Sequence, residues 1–313
     1  MALDEATTGF VAQMVAAGGP PLQDMTPEQA RELSRTLSEL SGAGPAVASV
    51  QDEQIPVDGG SILARVIRPT DDPSGVLVYY HGGGWVIGEV VGFDTLGRVL
   101  ATRTGMTVVL VDYRLAPEHR YPTAVEDSWT ALQWVDKRRA ELASGDILVV
   151  CGDSAGGNLS AVMAQRAKAA GGPVIDLQVL VYPVTDCDVD NETYVAPENQ
   201  LLLNRESMIW FWDHYTPDAS VRTEPDASPN RAPDLSGLPP AVVLTAEHDP
   251  LLHEGEEYAR RLADAGVPVR SRRFDGQMHG FFTMVNMLPG SAAAIDYVVA
   301  AIAEHVATGG AGR

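Results

Sequence analysis

Residues 152–156 read Gly-Asp-Ser-Ala-Gly, and their flanks narrow the possible folds more than any other segment of the chain. The preceding run, Ile147 to Cys151, is continuously apolar, as in a strand buried on both faces. The alanine-rich stretch that follows predicts a helix over about 155–170. A serine on a tight strand-to-helix turn needs neighbours without bulk, and Gly152 and Gly156 supply them. The pattern is that of a nucleophile elbow, which raises a serine hydroxyl above the edge of a sheet. The blander reading is a glycine-rich turn around a buried structural serine, and the rest of the sequence decides between the two.

Further apolar runs predict strands at 76–80, 107–111, 177–182, 241–246 and 269–274. Two more strand candidates, within 47–68, flank Asp58-Gly59-Gly60, a hairpin signal. Helical periodicity falls between them, at about 94–104, 124–138, 254–265 and 291–307. Strands alternating with helices imply an α/β fold, a mostly parallel sheet flanked by helices. Thr26-Pro27-Glu28-Gln29 looks like a capped helix start, and a helix over 27–40 places Ala30, Leu33, Leu37 and Leu40 on one face. The segment from Asp186 to about Pro233 breaks the rhythm, yet carries Trp210, Phe211, Trp212 and Tyr215, and reads as an insertion over the sheet's carboxyl edge.

A serine nucleophile needs a base, and the base needs an orienting carboxylate. With the serine first, acid and histidine are expected after the next strands. His279 lies just after the strand 269–274, and Glu247 and Asp249 follow the strand 241–246. Asp249 precedes Pro250, which stiffens its loop, so Asp249 is the expected acid and Glu247 a structural hydrogen-bonder. His81-Gly82-Gly83-Gly84-Trp85 follows the strand 76–80. Its glycines let backbone N–H groups face a developing oxyanion, with Gly83, Gly84 and Ala155 the expected donors and His81 a brace for the loop. A dinucleotide reading of these glycines fails on spacing. His248 and His253 flank Asp249 without a third ligand at a familiar spacing, and no His-Glu-x-x-His occurs, so no metal is expected.

Charge excludes one class of partner. With 42 acidic and 22 basic residues the net charge is −20, a surface that repels phosphate backbones, so no nucleic acid is expected. No apolar run approaches the roughly 18 residues of a membrane span. The first ten residues hold two acids and no base, unlike a secretory signal, so a cytoplasmic location with Cys151 and Cys187 reduced is expected.

In combination and in order, His81-Gly-Gly-Gly-Trp85, Asp112-Tyr-Arg-Leu-Ala-Pro-Glu118, Gly152-Asp-Ser-Ala-Gly-Gly157, Asp249-Pro-Leu251 and His279-Gly-Phe281 make the chain resemble the hormone-sensitive-lipase-like family of bacterial carboxylesterases. The likeness spans roughly residues 45–307. It implies the α/β-hydrolase fold with a helical cap, Ser154 as nucleophile, Asp249 as acid, His279 as base, and a preference for short acyl chains with no cofactor. It also implies a small-molecule ester as partner and a possible homodimer through an edge strand. His253 departs from the family, where an acidic residue is usual.

The expected organisation is 1–45 as the N-terminal part of the cap and 46–186 as the first part of the catalytic domain. An inserted cap segment, 187–235, and the second catalytic part, 236–313, complete it. Trp85, Phe211, Trp212 and Leu33 are the expected pocket residues, against the plainer reading that large aromatics hold the cap on the core. Amidase or deacetylase activity on small acetylated compounds is the alternative chemistry. A non-catalytic small-ligand receptor is the alternative of another class, disfavoured by His279, which receptors of this fold lose.

Overall fold

The computed structural model describes residues 2–309. Two helices, α1 (Glu5–Ala17) and α2 (Pro27–Glu39), precede the hairpin of β1 (Ser49–Val57) and β2 (Gly60–Arg68). There follow β3 (Gly75–Tyr80), α3 (Asp94–Thr104), β4 (Thr107–Asp112), α4 (Thr123–Lys137), α5 (Arg139–Leu142), β5 (Ile147–Asp153), α6 (Ala155–Ala170) and β6 (Leu177–Val181). After α7 (Glu192–Val195) and α8 (Arg205–Tyr215) come β7 (Ala241–His248), α9 (Leu252–Asp264), β8 (Val269–Met278) and α10 (Pro289–Gly309).

The sheet order is β1-β2-β4-β3-β5-β6-β7-β8. β1 and β2 run antiparallel to their neighbours, and from β4 to β8 every pairing is parallel. This is the α/β-hydrolase architecture, with a helical cap inserted between β6 and β7. All six residues of β3 are buried. Val76, Val78 and Tyr80 join one core layer with α4, α6 and α9, while Leu77 and Tyr79 join the other with α3 and α10. The chain leaves β3 towards β4 on one side and returns to β5 on the other. The loops that follow β3 and β5 therefore part at their carboxyl ends, where open α/β sheets form their binding crevice.

The cap is fastened by aromatic packing. Trp85 stacks on Tyr215 of α8 at 4.2 Å and 10°, and lies 4.9 Å from Trp212. α8 also packs on the single helical turn Leu22–Asp24, so the N-terminal segment and the insertion touch. At the root of the insertion the buried Glu254 carboxyl accepts the N–H groups of Thr185 and Asp186 at 2.7 and 3.3 Å. Burial pushes that carboxyl well above its ordinary value.

The main differences from the sequence reading lie at α2, at α1 and at the paired ends of β7 and β8. α2 stops at Glu39, and Leu40 is 56% exposed instead of completing an apolar face. α1 has no distinct apolar stripe to announce it. It is started by the Asp4 side chain, which accepts the Thr7 N–H, and is anchored to β8 by Asp4 N–H to Gly276 O at 3.0 Å. β7 and β8 both run past their expected ends, because a bulge between Ala246 and His248 lets pairing resume at His248 and Met278. Cys151 and Cys187 are free thiols. Among the described residues no helix is long and apolar enough to cross a membrane, and no cluster of His, Cys, Asp and Glu is placed to hold a metal.

Candidate active site

Ser154 sits between β5 and α6 with φ 55° and ψ −118°, backbone angles that L-residues avoid. Such strain costs about 1–3 kcal/mol and persists only where neighbours over-determine it. Here the Ser154 N–H donates to Val181 O at 2.9 Å, and Ser154 O accepts from Asn158 and Val184. The glycines are required by space. A Cβ on Gly156 would collide with Tyr80 O, and one on Gly152 with the backbone of Gly156.

The resumed pairing of His248 with Met278 brings the next residues, Asp249 and His279, side by side. His279 Nδ1 lies 2.7 Å from Asp249 Oδ2, and His279 Nε2 lies 3.0 Å from Ser154 Oγ. Asp249 is fully buried and its other oxygen accepts the Leu251 N–H at 2.8 Å. The carboxylate is thus an acceptor, so Nδ1 carries the imidazole proton and Nε2 is free to accept from the serine hydroxyl. Glu247 faces elsewhere, accepting the Gly276 N–H at 2.7 Å.

The loop after β3 folds over the same edge. Gly83 and Gly84 have φ of 108° and 56°, which glycine alone adopts at low cost. Among the described residues, the N–H groups of Gly83, Gly84 and Ala155 have no acceptor, while Gly83 O is occupied by Val86 and Ile87 N–H groups. His81 Nδ1 lies 2.7 Å from Gly82 O, and its ring stacks on Tyr113 at 4.3 Å.

The comparisons with known proteins bear on this arrangement. The model of the alpha/beta hydrolase fold family matches residues 77–283, which hold every one of these groups. The chain belongs to that family. This hydrolase is 40% identical to the carboxylesterase NlhH of Mycobacterium tuberculosis over 260 residues, 81% of this chain and 82% of that one. It is 33% identical to the ethyl acetate hydrolase of Pseudomonas putida, covering 94% of this chain and 96% of that one. Among solved structures, a hyperthermophilic esterase from Pyrobaculum calidifontis superposes with a TM-score of 0.91 at 39% identity, covering 98% of this chain and all of that one.

Of the four residues expected to line the hydrolase's pocket, Trp85 and Trp212 are placed otherwise. Both are fully buried and pack on each other and on Tyr215, so solvent reaches neither. Phe211 is the aromatic set against the glycine loop after β3, since a Cβ on Gly84 would overlap its ring. Leu33 is half-buried on α2.

Three residues around the site escaped the sequence reading. Asp153 is buried, and its Oδ1 accepts the Gly82 N–H at 2.9 Å and the Tyr79 hydroxyl at 2.7 Å. Burial raises its carboxyl above the ordinary value against the pull of those bonds. A buried acid inside the pentapeptide was a visible signal for it. Tyr182 packs its ring 4.6 Å from that of His279 and has φ 33°, and Arg31 reaches the glycine loop after β3 from α2, donating to Val86 O. Nothing in their local sequence marks either one.

Proposed function

We propose that this chain cleaves short-chain carboxylic esters through an acyl-enzyme on Ser154, as a member of the hormone-sensitive-lipase-like branch of its family. That it is an ester hydrolase follows from its kinship with carboxylesterases across four-fifths and more of its length. The observation that carries the mechanism is the continuous path from Ser154 Oγ through His279 to Asp249, at 3.0 and 2.7 Å, beside three unpartnered N–H groups.

His279 Nε2 takes the hydroxyl proton as Ser154 Oγ attacks the ester carbonyl. Asp249 holds the tautomer and stabilises the imidazolium that forms. Negative charge on the former carbonyl oxygen meets the N–H groups of Gly83, Gly84 and Ala155. His279 returns its proton to the leaving alcohol. Water then attacks the acyl-serine, giving a proton to His279; the bond from the acyl carbon to Ser154 Oγ breaks, His279 returns the proton to that oxygen, and the carboxylic acid leaves. Every proton and electron pair is carried by these side chains, the ester and water.

The same reading assigns 1–45 and 187–235 to the cap and the enzyme to the cytoplasm, with a homodimer through an edge strand of the sheet. Covalent labelling with a fluorophosphonate and peptide mapping tests the mechanism. The label is expected on Ser154 alone, and labelling elsewhere, or none in active protein, overturns it.

Chain-length preference follows from Phe211. A ring pressed on the oxyanion loop closes the space near the acyl group, and each methylene buried beyond it gains only about 0.8 kcal/mol. A closed end therefore produces a sharper cutoff than an open groove. Among p-nitrophenyl esters the optimum is expected at butanoyl or hexanoyl, with poor activity beyond decanoyl. Phe211→Ala is expected to move the optimum to longer chains while kcat on the acetyl ester stays within a few-fold. An unmoved profile in the folded variant makes Phe211 a packing residue only.

A further inference from the structure

Arg31 lies in α2, in the N-terminal segment, yet its guanidinium ends inside the main body. Nε donates to Val86 O at 2.8 Å and Nη2 to Ala116 O at 2.8 Å. The outer side of the same group forks onto Glu118, Nη1 to Oε1 at 2.9 Å and Nη2 to Oε2 at 2.7 Å. That pairing holds the Glu118 carboxyl well below the usual range, at about 2. The Glu118 side chain is 55% exposed, so the ion pair itself adds little stability. The two carbonyl bonds are a different matter. Val86 and Ala116 are fully buried, and no other described donor reaches either oxygen.

Both carbonyls belong to the chain that backs the oxyanion turn. Val86 N–H donates to Gly83 O at 3.0 Å, and Ala116 N–H donates to Trp85 O at 2.9 Å. Arg31 joins Val86 to Ala116 and so closes a ring of bonds around Gly83, Gly84 and Trp85. Gly84 and Trp85 both sit at positive φ within that ring, at 56° and 60°, and Trp85 bears the conformational strain of a side chain there. A strained turn keeps its shape only while its surroundings hold it, and the cap helix supplies one of those holds.

We propose that Arg31 is a positioning residue for ester hydrolysis: by clamping the Val86 and Ala116 carbonyls it holds the Gly83–Gly84 turn where its N–H groups meet the oxyanion. α2 is then part of the catalytic apparatus. This rests on the reading of Gly83 and Gly84 as oxyanion donors. A displaced donor weakens only the transition state, so the loss belongs in kcat. It is also independent of acyl length, because the oxyanion is common to all esters. A residue that merely walls the acyl channel gives the opposite pattern, a loss that depends on chain length and shows in KM.

The test compares Arg31→Ala and Arg31→Lys with the unaltered full chain on p-nitrophenyl acetate and butanoate. Folding is checked by thermal denaturation, and Ser154 by fluorophosphonate labelling. Arg31→Ala is expected to lower kcat by about 10- to 50-fold on both esters, the scale of a modest misplacement of a catalytic group, with KM within three-fold. Lysine reaches one carbonyl in place of two, so Arg31→Lys is expected to recover part of the loss. A kcat within two-fold of the unaltered enzyme in folded Arg31→Ala overturns the proposal, and so does a loss that grows with acyl length. Should the alanine protein fail to fold, Arg31→Lys decides: an equal loss of at least three-fold on both esters supports the clamp, and a smaller loss overturns it. Labelling of the unaltered enzyme at Ser154 keeps the two readings separate, since its absence there sinks the acyl-enzyme reading and the Arg31 proposal with it, whereas labelling with an unmoved kcat in Arg31→Ala overturns the clamp alone.

Discussion

Asp249→Asn is expected to lower kcat by about a thousand-fold or more, with little change in KM, while Glu247→Gln stays within about three-fold. The two acids lie two residues apart at the end of one strand and are told apart by what they accept. Asp249 is fully buried and takes the imidazole Nδ1–H at 2.7 Å and the Leu251 N–H at 2.8 Å. An asparagine amide in that place can present its NH2 to Nδ1. That forces the proton onto Nε2, and the imidazole can then no longer accept from Ser154. Glu247 accepts the Gly276 N–H, which steadies β8 three residues before His279 and touches no reacting group. Steady-state kinetics of the two folded variants on p-nitrophenyl butanoate is the measurement. A greater loss of kcat in Glu247→Gln than in Asp249→Asn reverses the assignment of the acid.

Much of this arrangement was legible in the chain because local chemistry and global fold agree there. Ile147 to Cys151, the small Gly152 and Gly156, and the helix from Ala155 are one statement about a strand, a strained turn and a helix, and the backbone at Ser154 is that turn. The proximity of Asp249 and His279 was legible only as an order of motifs. What sets them side by side is the bulge at Ala246 and His248, and a bulge leaves no mark in apolar alternation. Trp85 and Trp212 were misplaced for a related reason. Composition identifies large aromatics near a site, but their burial is settled by partners far away in sequence, here Tyr215 stacking on Trp85 across 130 residues. Arg31 belongs to the same class, since a single arginine on a polar helix carries no sign of the carbonyls it will meet.

Asp153→Ala is expected to lower kcat by about 100-fold and to destabilise the fold together. The carboxylate joins the two halves of the proposed site: it sits on the residue before Ser154 and holds Gly82, the first glycine of the loop after β3. Its Oδ1 takes both the Gly82 N–H and the Tyr79 hydroxyl, inside a region from which water is excluded. Removing it strands two buried donors, each at a cost of about 1–3 kcal/mol. The loop can satisfy the Gly82 N–H only by moving, and Gly83 and Gly84 move with it. The lost carboxylate acts through the loop and not on the ester directly, so KM on p-nitrophenyl acetate is expected to stay within about three-fold. Affinity for a trifluoromethyl ketone, which forms a tetrahedral oxyanion on the serine, is expected to fall in step with kcat. Asp153→Asn keeps one oxygen that can accept both donors and is expected to recover most of kcat. A melting curve for each variant separates the two effects. If folded Asp153→Ala keeps kcat and ketone affinity within three-fold, then the oxyanion loop holds its shape without this carboxylate, and the positioning role passes to the remaining contacts of the turn.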